Sequence, residues 1–201
     1  MENKPLKLKD TTHPHKEYEA NYNSLIGIDK QKEDLLTALH LFFNSRAIEK
    51  WKTKHHSKGL PFAEKTLKIS PLILLSGEVG CGKTALANSI ATPLAKMLDT
   101  HIICFETPSD IRGGGHVGEV SAKITSAFAQ VKAQQNGKPI ILMIGEADDL
   151  ATTRDQMHAH HEDRAGVNVL IKEIDALTAE KCNIVVLMIT NRFTSIDPAV
   201  I

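Results

Sequence analysis

The amino-acid sequence predicts an open α/β fold in which a parallel sheet carries helices on both faces. From residue 72 onward, short apolar runs that are typical of buried strands alternate with longer segments of helical periodicity. Alternation of this kind indicates strands that are joined by right-handed helical crossovers. Ligands bind such sheets at the carboxyl ends of the strands, and the chemical motifs of this sequence lie at such ends.

The segments before this alternation predict less regular structure. Residues 1–23 are polar and without periodicity, so we expect a mobile tail or an extended arm there. A helix is predicted from Asp29, which we expect to be its N-cap, with Leu35 and Leu39 at helical spacing. Residues 52–70 are rich in lysine and histidine and predict a connection.

The alternating part of the chain predicts four strands and three helices. The strands are expected at residues 72–76, 101–106, 140–145 and 184–190, and the helices at 83–98, 119–135 and 163–178. Pro93 lies within the first predicted helix and should kink or split it, because proline lacks the backbone N–H donor. With 201 residues, 42% of them hydrophobic, the chain is long enough for one domain with its own core.

The composition argues against several classes of function. The 24 basic residues balance the 24 acidic ones, so we do not expect a nucleic-acid partner. The longest apolar runs, such as Ile184–Ile189, are far too short to span a membrane, and Met1–Lys9 lacks the apolar core of a secretory signal. Cys81, Cys104 and Cys182 lack metal-ligand spacing and are typical of free thiols in a reducing compartment. We therefore expect a cytoplasmic protein without a membrane partner.

The first chemical motif is a phosphate-binding loop between a strand and a helix. It follows the apolar run Leu72–Leu75 and satisfies the pattern G-x-x-x-x-G-K-[ST] with Gly77, Glu78, Val79, Gly80, Cys81, Gly82, Lys83 and Thr84. Its glycines let successive N–H groups point inward, and the following helix adds its positive N-terminal dipole. An ordinary glycine-rich turn would not require a lysine and a hydroxyl residue after the last glycine. We predict that Lys83 reaches the β- and γ-phosphates of a nucleotide and that Thr84 binds Mg²⁺.

The second motif lies at the end of the apolar run Ile140–Ile144, which is followed by Gly145 and Glu146. P-loop ATPases carry an Asp-Glu pair here, in which the Asp supports the Mg²⁺ ligands and the Glu orients or deprotonates the attacking water. In this sequence the Glu is present and glycine replaces the Asp. Asp148 and Asp149 lie too far beyond the strand simply to replace it. A solvated acid at a strand end is one interpretation of Glu146, but its position after a phosphate-binding loop predicts a catalytic role.

The third motif follows the apolar run Ile184–Ile189, which ends in Thr190-Asn191-Arg192. The amide of Asn191 could hydrogen-bond the γ-phosphate, or the water between that phosphate and Glu146. Taken alone, an asparagine here would indicate a turn that ends the strand. In combination with the two preceding motifs, it predicts a second catalytic side chain.

Together these motifs resemble those of the AAA+ ATPases, and the resemblance runs from about Asn23 to Ile201. GEVGCGKT is similar to the Walker A motif of that family, ILMIGEAD to its Walker B motif, and ITNRFTSIDPAVI to its sensor-1 strand. The resemblance implies a P-loop NTPase fold, with an AAA+ large nucleotide-binding subdomain at residues 24–201 after the polar tail. It also implies ATP and Mg²⁺ as cofactors, and an adenine that faces the backbone near Ile26 and Gly27 in LIGIDKQKEDLLTAL.

A further segment, GGGHVGEVSAKITSAF, is similar to the first pore loop of the family and its helix. The family has an aromatic–hydrophobic–glycine triplet there, and His116-Val117-Gly118 stands in its place. Within the family, the chain is most similar to the ATPases that remodel HORMA-domain proteins. The resemblance therefore implies a homo-oligomeric ring, normally a hexamer, that grips a substrate protein, here a HORMA-domain protein, through His116 and Val117.

Two departures from the family affect the expected activity. Gly145 replaces the Walker B aspartate, and the arginine fingers and the small helical lid of the family correspond to positions after Ile201. Arg192 precedes the finger position and is not a substitute. We therefore expect the lid to be absent from this chain and its ATPase activity to be weak or abolished.

Three functions remain open on the sequence. The leading one is an ATP-driven motor that remodels proteins. A nucleotide-binding scaffold or switch without turnover is favoured by Gly145, and a DNA-associated loader or helicase of the same fold is disfavoured by the balanced charge. The histidine-rich segment His158–Asp163 could bind a metal, but it lies where the family has a second pore loop.

Overall fold

The structure is a computed structural model that describes residues 6–56, 70–108, 118–150 and 161–200 of the chain. In these ranges the chain forms five strands and eight α-helices. In chain order they are β1 (Lys9–His13), α1 (Lys16–Ser24), α2 (Asp29–Phe43), α3 (Ser45–His55), β2 (Leu72–Ser76), α4 (Lys83–Ser89), α5 (Ala91–Leu98), β3 (Ile102–Glu106), α6 (Glu119–Ala133), β4 (Ile140–Ile144), α7 (Ala147–Leu150), α8 (His161–Ala179) and β5 (Ile184–Thr190). A short 3₁₀ helix, Phe193–Ser195, follows β5.

One mixed sheet contains these five strands in the order β1-β3-β4-β5-β2. The four strands from β3 to β2 run parallel to one another, as expected for strands that are joined through helices. Each of them lies within one residue of its predicted bounds. The structure therefore confirms the predicted α/β architecture for these four strands.

β1 is the part of the sheet that the sequence did not predict. It pairs antiparallel with β3, from Lys9 opposite Glu106 to His13, so the sheet is not purely parallel. Leu6 and Leu8, just before this strand, are buried in the core. Of the two alternatives expected for residues 1–23, a mobile tail or an extended arm, the described residues form the extended arm, which is followed by α1. The sequence of β1 has almost no apolar residues by which a strand could be predicted. Its pairing rests on backbone hydrogen bonds, which any non-proline residue can make.

Two hydrophobic clusters cover the two faces of the sheet. Successive residues of a strand point to opposite faces, so Leu142 of β4 packs into one cluster and Ile141 into the other. The first cluster includes Phe128 of α6 and Leu170 of α8, and the second includes Leu94 of α5. The predicted arrangement of helices on both faces is thus confirmed.

The predicted helix at 83–98 is divided at Ile90 into α4 and α5. The break lies one turn before Pro93, because proline has no N–H group to donate to the carbonyl of Ser89. This confirms the predicted split. α2 begins at Asp29 as its first helical residue, with no side-chain capping bond, so Asp29 is not the N-cap that we expected.

α3 and β2 also differ from expectation. α3 continues to His55 and so covers the first residues of the predicted connection at 52–70. The apolar side chains of β2 are only partly buried, whereas those of β4 and β5 are fully buried. β2 has this exposure because it lies at the end of the strand order in the described part of the chain and pairs with β5 on one side.

Candidate functional site

The three predicted motifs meet at one edge of the sheet, because β5 lies between β4 and β2. The register places the last residue of β2 opposite the last residue of β5, and the last residue of β4 opposite a residue only two positions earlier. The residues that follow these strands, Gly77, Gly145 and Asn191, therefore leave the sheet at the same edge. This is the edge at which parallel α/β sheets bind their ligands.

The loop between β2 and α4 has the backbone that a phosphate-binding loop needs. Gly80 and Gly82 have φ angles of +81° and +89°, a conformation that residues with a Cβ rarely adopt. A Cβ at Gly77 would lie 3.1 Å from Cys81 Sγ, so a side chain there would force its neighbour to move. The loop leads directly into α4, whose first turn has N–H groups without helical partners. This geometry fits the predicted anion site.

Lys83 is held against this loop by hydrogen bonds to backbone carbonyl groups of the loop. The ammonium donates to the carbonyl oxygens of Gly77 at 2.8 Å and Glu78 at 2.6 Å, and it lies 3.6 Å from Cys81 Sγ. The positive charge therefore lies at the loop. A lysine side chain has a flexible stem and three donors, so it can exchange such carbonyl contacts for phosphate oxygens. Its role as a phosphate ligand stays a prediction.

The segment predicted to face adenine lies beside the same loop. Leu25 Cδ2 is 3.7 Å from the place that a Cβ on Gly82 would occupy. Lys32 of α2 donates to the carbonyl of Leu25 and so holds the end of α1 near the loop. Gly27 has a φ angle of +80°, which turns the chain directly after Ile26.

Two apolar side chains, one in the loop and one in the segment predicted to face adenine, are almost fully exposed. Ile26 is 90% exposed and Val79, within the loop, is 83% exposed. Small-molecule sites are lined mainly by apolar groups with a few polar ones that fix orientation. These two side chains give the predicted nucleotide site the apolar surface that a planar base would contact.

A cavity of about 530 Å³ lies over the strand ends. Its lining includes Thr84, Glu146 and Asn191, which the sequence predicts to act on Mg²⁺, water and phosphate, and it includes Gly145. The other lining residues are Lys7, Lys9, Asn88, Glu106, Thr107, Pro108, Met143 and Ile189. The tertiary structure therefore brings residues of three separate motifs to one place.

Glu146 has a backbone conformation that is uncommon for a residue with a side chain. Its φ angle is +50°, which costs on the order of 1–3 kcal/mol and persists only where the surroundings impose it. The surroundings here are buried on both sides, since Ile144 ends β4 before the turn and Ala147 begins α7 after it. The side chain itself is exposed at the cavity. This position fits the predicted catalytic acid, whose role stays a prediction.

Gly145 leaves open space where P-loop ATPases usually carry a carboxylate. A Cβ on Gly145 would meet no atom of the described structure within 4 Å, and the φ angle of Gly145 is not positive. Neither sterics nor backbone conformation therefore requires glycine here. Asp148 lies on α7, where its Oδ1 accepts a hydrogen bond from the Thr190 hydroxyl at 2.9 Å, and it is not among the described residues that line the cavity.

Sequence reasoning missed eight residues of this cavity, among them the polar residues Lys7, Lys9, Asn88, Glu106 and Thr107. Glu106 and Thr107 lie at the carboxyl end of β3, two strands from β5, and they belong to no motif. The two lysines alternate with leucines in the stretch Leu-Lys-Leu-Lys from residue 6 to residue 9. That alternation is the pattern of a half-buried strand, and it was the one signal that could have placed the lysines on a common face.

The side chains that are present fit ATP and Mg²⁺. The loop offers N–H donors and the Lys83 ammonium to phosphate oxygens, and the exposed Thr84 hydroxyl offers an oxygen ligand in the cavity. Mg²⁺ prefers oxygen ligands and keeps several of its waters, so one hydroxyl together with phosphate oxygens suffices to bind it. The component that the site lacks is the carboxylate usually found at the position of Gly145.

Several predicted features lie outside the described residues. They are the pore-loop residues His116 and Val117 and the side chains of the histidine-rich segment 158–163. Within the described ranges, no group of His, Cys, Asp and Glu side chains could hold a metal ion. Of the helices in those ranges, none has the length and apolar character needed to cross a membrane.

Comparison with known sequences identifies a family and relatives. The profile of the family described as "ATPase family associated with various cellular activities (AAA)" matches residues 73–201. The chain is 38% identical over 185 residues to CD-NTase-associated protein 6 of Escherichia coli (strain MS 115-1). The matched region covers 88% of this chain and 60% of that protein. It is 26% identical over 188 residues to an "AAA ATPase forming ring-shaped complexes" of Corynebacterium glutamicum (strain R), covering 91% of this chain and 33% of that protein.

Comparison with known structures also identifies a similar protein. The chain superposes over 100% of its length on 68% of a chain in the structure of the E. coli MS115-1 HORMA:CdnC:Trip13 complex, with a TM-score of 0.89 and 34% identity. The chain spans about three fifths of the length of the E. coli relative.

Proposed function

This chain belongs to the AAA family of ATPases, and from that premise we propose that it is a subunit of a homo-oligomeric ring, normally a hexamer, that uses ATP to remodel a HORMA-domain protein. Membership of this family supports nucleotide binding and ATPase activity, generally with Mg²⁺. The ring, the substrate and the mechanism below are parts of the proposal.

The residues at the strand ends supply the chemistry of ATP hydrolysis in this proposal. Lys83 binds the β- and γ-phosphates, and the Thr84 hydroxyl is the ligand that this chain provides to Mg²⁺. When bound with the nucleotide, Mg²⁺ neutralises phosphate charge. The Glu146 carboxylate accepts a hydrogen bond, and then the proton, from the attacking water, and Asn191 orients that water or the γ-phosphate. Residues 77–84 as a whole enclose the phosphates, and the segment with Ile26 faces the adenine.

The observation that carries the proposed substrate is the superposition on a chain of a complex that contains a HORMA protein. Similarity over the whole chain at a TM-score of 0.89 favours a common partner more strongly than a match to the nucleotide site alone would. The relative that forms ring-shaped complexes supports the oligomeric ring. In such a ring, we propose that His116 and Val117 contact the substrate protein in the central pore.

A second function, a nucleotide-binding scaffold or switch without turnover, is favoured by Gly145. A carboxylate at this position would hold the waters of the metal. Removing a group that orients metal ligands commonly lowers activity about 10–100-fold. The two functions differ in turnover and not in nucleotide affinity. Phosphate release therefore separates them.

The experiment is nucleotide-dependent association with the HORMA protein of the E. coli MS115-1 complex, measured by co-elution in size-exclusion chromatography. We expect association with ATP, stronger association for Glu146→Gln because ATP persists, and none for Lys83→Ala. Replacing His116 and Val117 with alanine should leave ATP affinity intact and abolish association with the substrate protein. Equal co-elution with and without nucleotide, or none by any variant, would contradict the proposed substrate. Association without phosphate release, even after Gly145→Asp, would favour the scaffold.

A further inference from the structure

Two lysines of the N-terminal arm line the cavity that contains the candidate catalytic residues. Lys7 and Lys9 share this cavity with Thr84, Glu146 and Asn191, although they belong to none of the motifs that predict nucleotide binding. The cavity therefore continues from the ends of β4 and β5 to the edge of the sheet formed by β1 and β3. Its part at that edge has no assigned ligand.

The lysines are directed into the cavity by anchors on their neighbours. Leu6 and Leu8 are each 8% exposed and lie in the same hydrophobic cluster as α6. Gln130 of α6 donates from Nε2 to the carbonyl oxygen of Leu6 at 2.7 Å. In an extended chain, neighbouring side chains point to opposite sides, so the burial of the two leucines leaves Lys7 and Lys9 on the opposite face. Their position thus depends on packing and is not that of a free tail.

A buried hydroxyl without a partner lies in the same part of the cavity. Thr107 follows β3, is 7% exposed and lines the cavity, and its Oγ1 has no hydrogen-bond partner among the described residues. Its backbone N–H donates to the carbonyl oxygen of Met143 at 3.0 Å, which fixes the residue against the end of β4. Buried hydroxyls are almost always satisfied, so an unpaired one at a cavity points to a ligand that accepts or donates there.

The charges of the lining are weakly paired. Lys9 Nζ lies 3.8 Å from Glu106 Oε2, and the two side chains are 71% and 38% exposed, so this pair contributes little and Lys9 can exchange it. Lys7 forms no ion pair with any residue in the described ranges. The acids of the lining are Glu106 and Glu146, and Gly145 removes the further acid that P-loop ATPases carry. The two lysines therefore balance the two acids of the lining, and the charge of Lys7, which has no ion pair there, is available to an anion.

From this arrangement we propose that Lys7, Lys9 and Thr107 form a phosphate subsite at the β1–β3 end of the cavity. Two ammonium groups and a hydroxyl donor are the groups that bind a tetrahedral oxyanion through charge-assisted hydrogen bonds. The ligand is a phosphate group, which is either the γ-phosphate of bound ATP or the orthophosphate that hydrolysis releases. The inference rests on the proposed function for the source of that phosphate, but the subsite itself requires only an anion.

Calorimetric titration of the 201-residue chain tests the subsite, in the Glu146→Gln background so that ATP persists. The variants are the double substitution of Lys7 and Lys9 by glutamine, Thr107→Val, and Lys16→Gln as a matched control, since Lys16 is exposed and lies on α1 away from the cavity. The ligands are ATP, ADP, orthophosphate with saturating ADP, and orthophosphate alone. Thermal unfolding of each variant checks that it is folded.

We expect the double variant to lose about tenfold in affinity for one phosphate source, a factor within reach of two unit charges near a surface. If the source is the γ-phosphate, ATP affinity falls and ADP affinity does not. If it is orthophosphate, ATP affinity is unchanged and orthophosphate binding to the ADP complex weakens. Thr107→Val should give part of the same loss, and Lys16→Gln none.

An unchanged affinity for both ATP and orthophosphate in the double variant, relative to Lys16→Gln, would overturn the subsite. Failure of nucleotide binding, on which the source of the phosphate rests, has a different signature, because the parent chain would then bind neither ATP nor ADP. Orthophosphate alone tests the subsite in that case. Weakening of ADP binding by the same factor as ATP would also contradict the proposal, since ADP lacks the phosphate that the subsite would hold.

Discussion

The Thr190 hydroxyl donates a hydrogen bond to Asp148 Oδ1 over 2.9 Å, and the same hydroxyl oxygen accepts a hydrogen bond from the N–H of Arg192 at 2.9 Å. This side chain therefore connects the end of β5 to the helix that follows Glu146. Asn191 lies in the chain between Thr190 and Arg192, whose N–H this hydroxyl binds. The bond thus links the chain next to the two candidate catalytic residues, since Asp148 lies two residues after Glu146 and Thr190 directly precedes Asn191.

Thr190→Val should destabilise the protein by about 1–3 kcal/mol. Valine has the same shape, but it leaves the Arg192 N–H and one Asp148 oxygen without the partner that the buried hydroxyl supplies. Chemical unfolding in urea measures the change. Thr12→Val is the matched control, because Thr12 is exposed on β1, and it should stay within about 0.5 kcal/mol of the parent. A similar effect of both substitutions would contradict the role of the Thr190 hydroxyl.

The 201-residue chain should bind ATP or ADP and hydrolyse ATP very slowly, and Gly145→Asp should raise its rate of phosphate release about 10–100-fold. The added carboxylate would hold the metal's waters, a role whose loss commonly costs that factor. A side chain fits at this position because no described atom lies within 4 Å of a Cβ there. Phosphate release is measured against Glu146→Gln as the blank.

Gly145→Asn is the matched control for that gain, since it adds the same volume without the charge. It should leave the rate near that of the parent. An equal acceleration by Asn and Asp would show that the charge is not responsible. Fast release by the unmodified chain would mean that another residue replaces the missing aspartate.

Lys83→Ala should weaken ATP binding by roughly 2–4 kcal/mol, the scale for loss of a buried charge-assisted contact. Lys83 also donates to the carbonyl oxygens of Gly77 and Glu78, so the substitution frees the loop as well. Titration with a fluorescent ATP analogue measures the affinity, and thermal unfolding shows whether the fold is retained. Lys16→Ala is the control, and equal affinity of the two variants would rule out Lys83 as a phosphate ligand.

The stability of the protein should fall as the pH drops from about 6.5 to about 4, because of His13. Burial, and then the charge of His15, lowers the pKa of His13 from 6.5 to about 4. A depressed pKa means that the unfolded state takes up the proton first, so acid favours unfolding. The loss of stability is small at pH 7, reaches about 2 kcal/mol near pH 5, and levels off below pH 4.

Urea unfolding at pH 7 and at pH 5 measures this dependence. The parent should lose about 2 kcal/mol more than His13→Gln between these two conditions, since glutamine does not titrate. His101→Gln, which removes an exposed histidine, should show the same dependence as the parent. An identical loss for the parent and His13→Gln would contradict the assignment.

The arm that contains His13 shows why the lysines at the cavity were not predicted from the sequence. His13 Nδ1 is hydrogen-bonded to Thr92 Oγ1 at 2.8 Å, and the two residues are 79 positions apart in the chain. No local sequence pattern predicts such a contact. The same holds for Gln130, which binds the carbonyl of Leu6 across 124 positions. Because these contacts place β1 against β3, a polar segment that predicted a tail became part of the sheet and brought Lys7 and Lys9 to the cavity.

The sequence by itself determined the four parallel strands, the phosphate-binding loop and the positions of Glu146 and Asn191 after their strands. These features follow from local physics, since apolar runs must be buried and a glycine-rich turn before a helix binds anions. Only the tertiary structure decided that the sheet has an antiparallel edge, that Asp148 is bonded to Thr190, and that lysines of the arm share the catalytic cavity. Those outcomes depend on backbone pairing and on polar contacts between distant residues, which the short alternation at residues 6–9 does not specify.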